Sequence, residues 1–205
     1  YESKAIEAQD FLLFLDQATN HPYLTRKGVG AHGLYISGQD LIMPMGDALK
    51  VWNYQSIAPD GVKMFFGGKP GARKQGTWFE IPGDGKICVV EGYATGARVH
   101  EAKGHTVIVG MIAPAIRAKY PDNLIIFCAD NDRFTKTKND VPVNPGIIKA
   151  TQASKLVDGF VCYPQFPDNS GEKDTDYNDL HRLSGLETVK ISIQQAVKPP
   201  ADETP

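Results

Sequence analysis

Cysteine is scarce in this chain, three in 205 residues, and none shows the C-x-x-C spacing of a zinc ribbon. Cys88, Cys128 and Cys162 each lie in a short apolar run, which reads as buried free thiols in a reducing cytosol. Long hydrophobic runs are missing: nothing approaches the roughly 20 apolar residues of a membrane helix, and no basic-then-apolar leader opens the chain. Charge of one sign is missing too, with a formal net of −2. That balance leaves nucleic acid open as a partner, because a basic groove can coexist with an acidic site. The five histidines show no metal-ligand spacing, and GGKPGARKQG lacks the Gly-Lys-Ser/Thr ending of a phosphate-binding loop. The chain opens on Tyr1, as expected of a segment of a longer protein.

What is present begins with residues 3–18, where apolar positions 6, 11, 12, 14 and 15 predict an amphipathic helix. Residues 21–82 are Gly-rich, with short alternating runs. HPYLTRKGV, LYISGQDLIMPM, LKVWNYQSIA, KMFFGG and GTWFEIP read as strands joined by turns, a small β-rich subdomain. Its basic residues, Arg26, Lys27, Lys50, Lys63, Lys69, Arg73 and Lys74, stand among Trp52, Tyr54, Phe65, Phe66 and Trp78. Basic residues interleaved with aromatics suit a groove for single-stranded nucleic acid; the plainer alternative is a solvated rim around a β-core. Pro82-Gly83-Asp84-Gly85 marks a boundary, so the division expected is 1–82, 83–196 and a Pro-rich acidic tail or linker, 197–205. The pattern then alternates: strand 86–90, helix 94–103, strand 106–109, helix 112–119, strand 123–129, helix 145–156, strand 159–163, helix 177–184 and a last helix 185–196. Such alternation predicts an α/β fold with a mainly parallel sheet flanked by helices.

Three acidic groups fall at strand ends: Glu91 in KICVVEGYATG, Asp130 and Asp132 in NLIIFCADNDRF, and Asp176, Asn178 and Asp179 in EKDTDYNDLH. Taken singly, Glu91 reads as a cap, Asp130-Asn-Asp132 as turn chemistry and Asp176 as a helix N-cap. Together they sit where parallel sheets gather their chemistry. Carboxylates repel, so grouping them implies a cation between them, and oxygen donors suit Mg²⁺ or Mn²⁺.

EGYATG after a hydrophobic strand, Asp-x-Asp about forty residues on and DYNDL after a final strand resemble the Toprim domain, over roughly residues 86–184. The upstream part, with HPYLTRKGV, LIMPM and DGVKMFFGG, is similar to the N-terminal half of the primase catalytic core, closest to phage and plasmid primases. The resemblance implies that Glu91, Asp130, Asp132 and Asp176 are catalytic and metal-binding, accompanied by Asn178 and Asp179. It also implies that Lys63, in its G-x-K-x-F context, faces nucleotide phosphates. The family's usual Asp four residues after the motif glutamate is Thr95 here, so the first motif offers one carboxylate.

The function implied is synthesis of short RNA primers on single-stranded DNA from ribonucleoside triphosphates, a nucleotidyl transfer. Lys63, Lys69 and Lys27 would grip phosphates, and Arg26, Arg73 and Lys74 would hold template. Partners implied are an upstream zinc-binding domain, a replicative helicase, or both, in a bacterial, phage or plasmid setting. Other readings stay open: a Toprim-type nuclease or topoisomerase-like cleavage domain, or a non-catalytic DNA-binding module. A haloacid-dehalogenase-type phosphatase is disfavoured, because Phe134 stands where that family has Thr or Val.

Overall fold

The structure, a computed structural model, describes residues 1–67, 71–110 and 112–200, so Lys69 and the end of the tail lie outside it. It forms two compact units, Tyr1–Ile81 and Pro82–Pro205.

In the first unit, α1 (Glu2–Leu12), β1 (Asp16–Gln17) and α2 (Pro22–Lys27) precede β2 (Tyr35–Ser37), β3 (Asp40–Gly46), β4 (Val51–Ile57), β5 (Lys63–Phe65) and β6 (Phe79–Ile81). The first five strands form an antiparallel sheet in sequence order. β2 and β3 are joined by a tight turn in which Ser37 pairs with Asp40 and Gly38 takes φ 58°, a conformation glycine adopts without steric cost. Leu41, Met43 and Met45 are buried on β3, and α1 lies against β4 through Ala5 and Ala8, both fully buried.

Two expectations for this unit are corrected. The leading helix stops at Leu12 rather than reaching residue 18, leaving Leu13 and Phe14 exposed. Its buried face is built from alanines, small enough for close approach to the sheet, while Ile6 faces outward. HPYLTRKGV is a short helix and not a strand. His21 caps it by accepting from the Tyr23 N–H, Pro22 starts it, and Gly28 ends it in the left-handed region at φ 65°. Pro at the first position and Gly just past the last are helix punctuation, and here they outweigh the strand preference of Tyr and Thr.

The second unit is the expected α/β alternation: β7 (Ile87–Val90), α3 (Tyr93–Lys103), β8 (Thr106–Val109), α4 (Ala113–Lys119), β9 (Ile125–Cys128), α5 (Pro145–Lys155), β10 (Phe160–Cys162) and α6 (Tyr177–Gln194). These four strands run parallel in the order β10-β9-β7-β8. Every residue of β7, β8 and β9 is buried, as parallel strands covered on both faces must be. Gly96 lets α3 approach the sheet, since a Cβ there would stand 3.0–3.1 Å from Val90, Val107 and Val109. α6 is broken at Gly185 (φ 79°, ψ 169°), the join expected between two helices. Past α6, Val197 pairs with Val161, and Lys198 bridges to Asp158 at 2.6 Å.

Strand order decides where polar chemistry can sit. β7 connects outward to β8 on one side, while β9, on its other side, continues outward to β10. Right-handed crossovers put the helices that follow β7 and β9 on opposite faces, opening a crevice at the carboxyl ends of this pair.

The thiols, distant in sequence, gather in the core. Cys162 lies opposite Cys128 on neighbouring strands with Sγ atoms 3.5 Å apart, and the buried Tyr177 hydroxyl donates to Cys162 Sγ at 3.2 Å. The Cys128 thiol is pushed well up by its contacts with Cys162 and Cys88 and by burial. Because the thiolate is the reactive form, an aromatic disulfide reagent should label the native protein slowly and titrate three thiols once urea unfolds it. Rapid labelling of Cys128 in native buffer would contradict this core.

Candidate functional site

Register brings the first two acidic groups to one sheet edge. β7 and β9 pair with Val89 opposite Phe127, so Glu91 and the Asp130–Asp132 turn leave adjacent strands at the same end. Glu91 is exposed at the strand exit, and Gly92 rather than Glu91 is the N-cap of α3. The third group joins through the backbone: the Asn131 N–H donates to the Thr175 carbonyl at 2.8 Å, holding the start of α6 beside the turn.

The side chains themselves are engaged locally. Asp132 Oδ2 accepts from the Gly146 N–H at 3.1 Å. Asp176 Oδ1 accepts from the N–H groups of Asn178 and Asp179, and Asp179 Oδ2 from those of Thr175 and Asp176. This capping box satisfies the otherwise orphaned donors of the first turn. Asp174 is buried, accepting from the Gly171 N–H and pairing with Arg182. On α3, buried Arg98 pairs with Glu101 at 3.0 Å and lies within electrostatic reach of Asp176. Burial, then Arg98, lowers the His181 imidazole.

The Asn178 side chain departs from this local satisfaction. Its carboxamide is buried, and neither Nδ2 nor Oδ1 has a hydrogen-bond partner, a state that native interiors rarely leave unexplained. The donor chemistry of the edge, carboxylate and amide oxygens, is that of a hard divalent cation. Side-chain placement does not match it: among the described residues no group of three or more His, Cys, Asp or Glu is disposed to hold a metal ion. The acids share an edge, Asp132 and Asp176 engaged with nearby backbone groups, without closing around a point.

Several residues that hold this edge together are not acidic and escaped the sequence reading. Asn144, N-cap of α5, donates to Asn131 Oδ1 at 2.8 Å and accepts from the Asp132 N–H at 3.0 Å, while Asn131 Nδ2 donates to the Pro164 carbonyl at 2.8 Å. Arg133 reaches the Asp174 carbonyl at 2.7 Å, Ser170 Oγ at 2.7 Å and the Gly171 carbonyl at 3.2 Å. Gly146 permits a close approach, since a Cβ there would meet the Asp130 carbonyl oxygen at 2.3 Å. The only prior signal was N-P-G before an apolar helix, which reads as a start and no more.

In the first unit, the expected nucleic-acid residues fall into separate settings. Arg26 and Lys27 end α2, and Arg26 donates to the Pro59 carbonyl at 2.7 Å, next to the turn that leads into β5. Lys63 and Lys74 are exposed, and Lys74 lies 4.6 Å from the Phe65 ring centroid. Arg73 is occupied: it stacks on Trp52 at 4.6 Å and pairs with Asp47 at 3.0 Å. Lys50 covers the same indole at 4.1 Å, and the Trp52 N–H donates to Asp47 Oδ2 at 2.7 Å. Tyr54 stacks between Phe11 and Phe66.

Two outcomes follow. Replacing Gly146 by Ala should push the Asp130–Asp132 turn off α5 and destabilise the protein by about 1–3 kcal/mol, the scale of an overpacked site. An unchanged urea midpoint would refute that contact. Burial alone would raise the Asp47 carboxyl, but the N–H groups of Leu49 and Lys50, the indole and Arg73 together hold it below its ordinary value of 3.8. The stability it contributes is therefore present above 3.8 and lost as pH falls through the lower, folded-state value. Thermal melts followed by tryptophan fluorescence should show that acid loss in the native sequence and a smaller one in Asp47→Asn.

With this geometry in hand, comparisons locate the chain among known proteins. No protein-family model matches it. It is 34% identical over 204 residues to a DNA primase TraC of Escherichia coli, covering 85% of this chain and 19% of that protein. A second Escherichia coli DNA primase TraC is 33% identical over 172 residues, covering 76% and 11%. The chain thus spans a fifth or less of the length of these relatives. In structure it is similar to a chain from the bacteriophage T7 lagging-strand DNA polymerase complex with primase domains and an RNA/DNA hybrid, with TM-score 0.58 and 16% identity over 90% of this chain and 94% of that one. For the primase fragment of the T7 primase-helicase protein the TM-score is 0.56, with 16% identity over 87% and 75%. For Aquifex aeolicus primase (zinc-binding and RNA polymerase domains) it is 0.52, with 12% identity over 90% and 51%. The chain is similar in sequence to a segment of the TraC DNA primases, and its mixed α/β architecture is that of primase catalytic domains.

Proposed function

We propose that this chain is the polymerising core of a DNA primase, with a Toprim-type second unit, making short RNA primers on single-stranded DNA. The observation that carries the reading is the similarity to TraC primase, which takes in 85% of the chain and so extends over both units. The reaction joins the 3′-hydroxyl oxygen of a growing primer to the α-phosphorus of a ribonucleoside triphosphate. The bond from that phosphorus to the bridging oxygen breaks, pyrophosphate leaves, and the hydroxyl proton is released to water.

In this reading Glu91, Asp130, Asp132 and Asp176, accompanied by Asn178 and Asp179, form the catalytic edge. They are also the residues that would bind Mg²⁺ or Mn²⁺. Such an ion, when bound, supplies charge neutralisation at the phosphates. Among the described residues the side chains as placed do not close around a point. What the chain contributes itself is placement: the Asn131–Asn144 pair and Arg133 hold two acidic loops in fixed relation, and orientation of reacting groups is a large part of any rate enhancement. Lys63, Lys27 and Lys69 bind triphosphate or backbone phosphates. Arg26 and Lys74 contribute to template binding, with Arg73 bracing the aromatic surface through Trp52. A zinc-binding domain and a helicase, in the same chain or apart from it, are the partners this role calls for.

The test is extension of a pre-annealed RNA primer on single-stranded DNA with labelled ribonucleotides and Mg²⁺ or Mn²⁺. Asp130→Asn and Asp132→Asn should each lower incorporation by at least ~100-fold, the scale of losing one preorganised electrostatic group. Template binding should stay within a few-fold, and a chelator should abolish extension in the native sequence. Nicking of the strand without extension would replace this reading with DNA cleavage.

A further inference from the structure

Phe134 stands two residues beyond Asp132 with its side chain half exposed. Single apolar residues on a surface are ordinary; what distinguishes this one is its support. The Arg133 guanidinium lies 4.7 Å from the Phe134 ring centroid and 4.4 Å from that of Phe166, a prop between two aromatic rings. The guanidinium is itself anchored, since its N–H groups donate to the carbonyls of Asp174 and Gly171 and to Ser170 Oγ. Three of its five N–H donors are thus committed within the protein, which makes it a fixed support for the ring.

The chain on the far side of Phe134 is held as well. The Thr135 N–H donates to the Asp132 carbonyl at 2.9 Å, the Val143 N–H to the Thr135 carbonyl at 2.9 Å and the Thr137 N–H to the Val141 carbonyl at 2.9 Å. Lys136 and Pro142 form an antiparallel bridge, closing a small excursion between β9 and α5. An exposed ring fixed from both sides loses little freedom on gaining a stacking partner, which is the condition for a preorganised contact. Over residues 133–143 the charges are Arg133, Lys136 and Lys138 against Asp140, a local excess of positive charge beside an acidic edge. Lys138 is exposed, and Lys136 is paired with Asp140 at 2.8 Å in an open setting that salt and phosphate can exchange.

We propose that Phe134 is a base-stacking residue for a single strand of DNA lying across the β9–α5 loop, with Lys138 and Lys136 facing its phosphates. This rests on the reading of the acidic edge as a nucleic-acid site, and it adds a contact outside the basic residues of the first unit. A flat half-exposed ring with nearby lysines matches the two faces of a nucleotide, the base and the phosphate, and base–aromatic stacking tolerates any sequence.

The experiment measures binding alone, without nucleotides. Fluorescence anisotropy would follow the full chain with a fluorescein-labelled oligothymidylate of about 15 residues, a length on the scale of single-strand site sizes, and with an abasic strand of the same length. The expected result is that Phe134→Ala and Phe134→Leu weaken oligothymidylate binding by about 5- to 150-fold, the span reported for loss of one stack. Binding of the abasic strand should be unchanged, and Phe134→Trp should retain native affinity. Leu keeps apolar area without a ring face, so it separates stacking from apolar contact, and circular dichroism confirms the fold of each variant. Unchanged affinity of Phe134→Ala for oligothymidylate would overturn the proposal, as would native affinity in Phe134→Leu, which would mark an apolar protein contact. Base-dependent binding with no primer extension would refute polymerisation alone, whereas extension without any base dependence at Phe134 would refute this proposal alone.

Discussion

The in-register parallel pairing of β7 with β9 is the constraint on which the second unit depends. Ile87, Cys88 and Val89 lie opposite Ile125, Ile126 and Phe127, all buried. Strands covered on both faces can place charged side chains only beyond their ends. The first residues free to be polar are then Glu91 on one strand and Asp130 on its neighbour. Because the chain winds outward in opposite directions from this pair, those ends also flank the crevice between helices on opposite faces.

Having reached one edge, the acids are governed by hydrogen bonding at shorter range. Asp176 and Asp179 serve the first turn of α6, and Asp132 serves the start of α5. A carboxylate used as a cap is still a carboxylate, with a second oxygen and a full charge, so the structural and chemical roles need not exclude one another. Residues that are not acidic do the aligning, Arg133 and two asparagines. Asn131 contacts Asn144, Pro164 and Thr175, joining three segments distant in sequence. Asparagine suits that post because it both donates and accepts and adds no charge to an acidic edge.

The first unit shows the same competition between local and distant use. Asp47 gathers the Trp52 indole, Arg73 and two backbone N–H groups, and the indole is covered by Lys50 and Arg73. A sequence pattern of mixed basic and aromatic residues does not distinguish cations that stack on rings within the protein from cations that face outward. Arg73 is of the first kind, Lys63 is exposed, and Lys74 is exposed while also lying over the Phe65 ring.

By itself the sequence determined the α/β alternation, because four apolar runs of strand length separated by helix-length segments admit few arrangements. It also determined that acids follow β7 and β9, and that Gly185 interrupts the last helix, since both are properties of local order along the chain. It misjudged HPYLTRKGV, where strand preference and helix punctuation conflict over only a few residues. Only the tertiary structure decided that Asn131, Asn144 and Arg133 tie the acidic loops together and that three cysteines share one core. Those facts depend on strand order, register and hydrogen bonds between residues 13 to 41 positions apart, which no local pattern encodes.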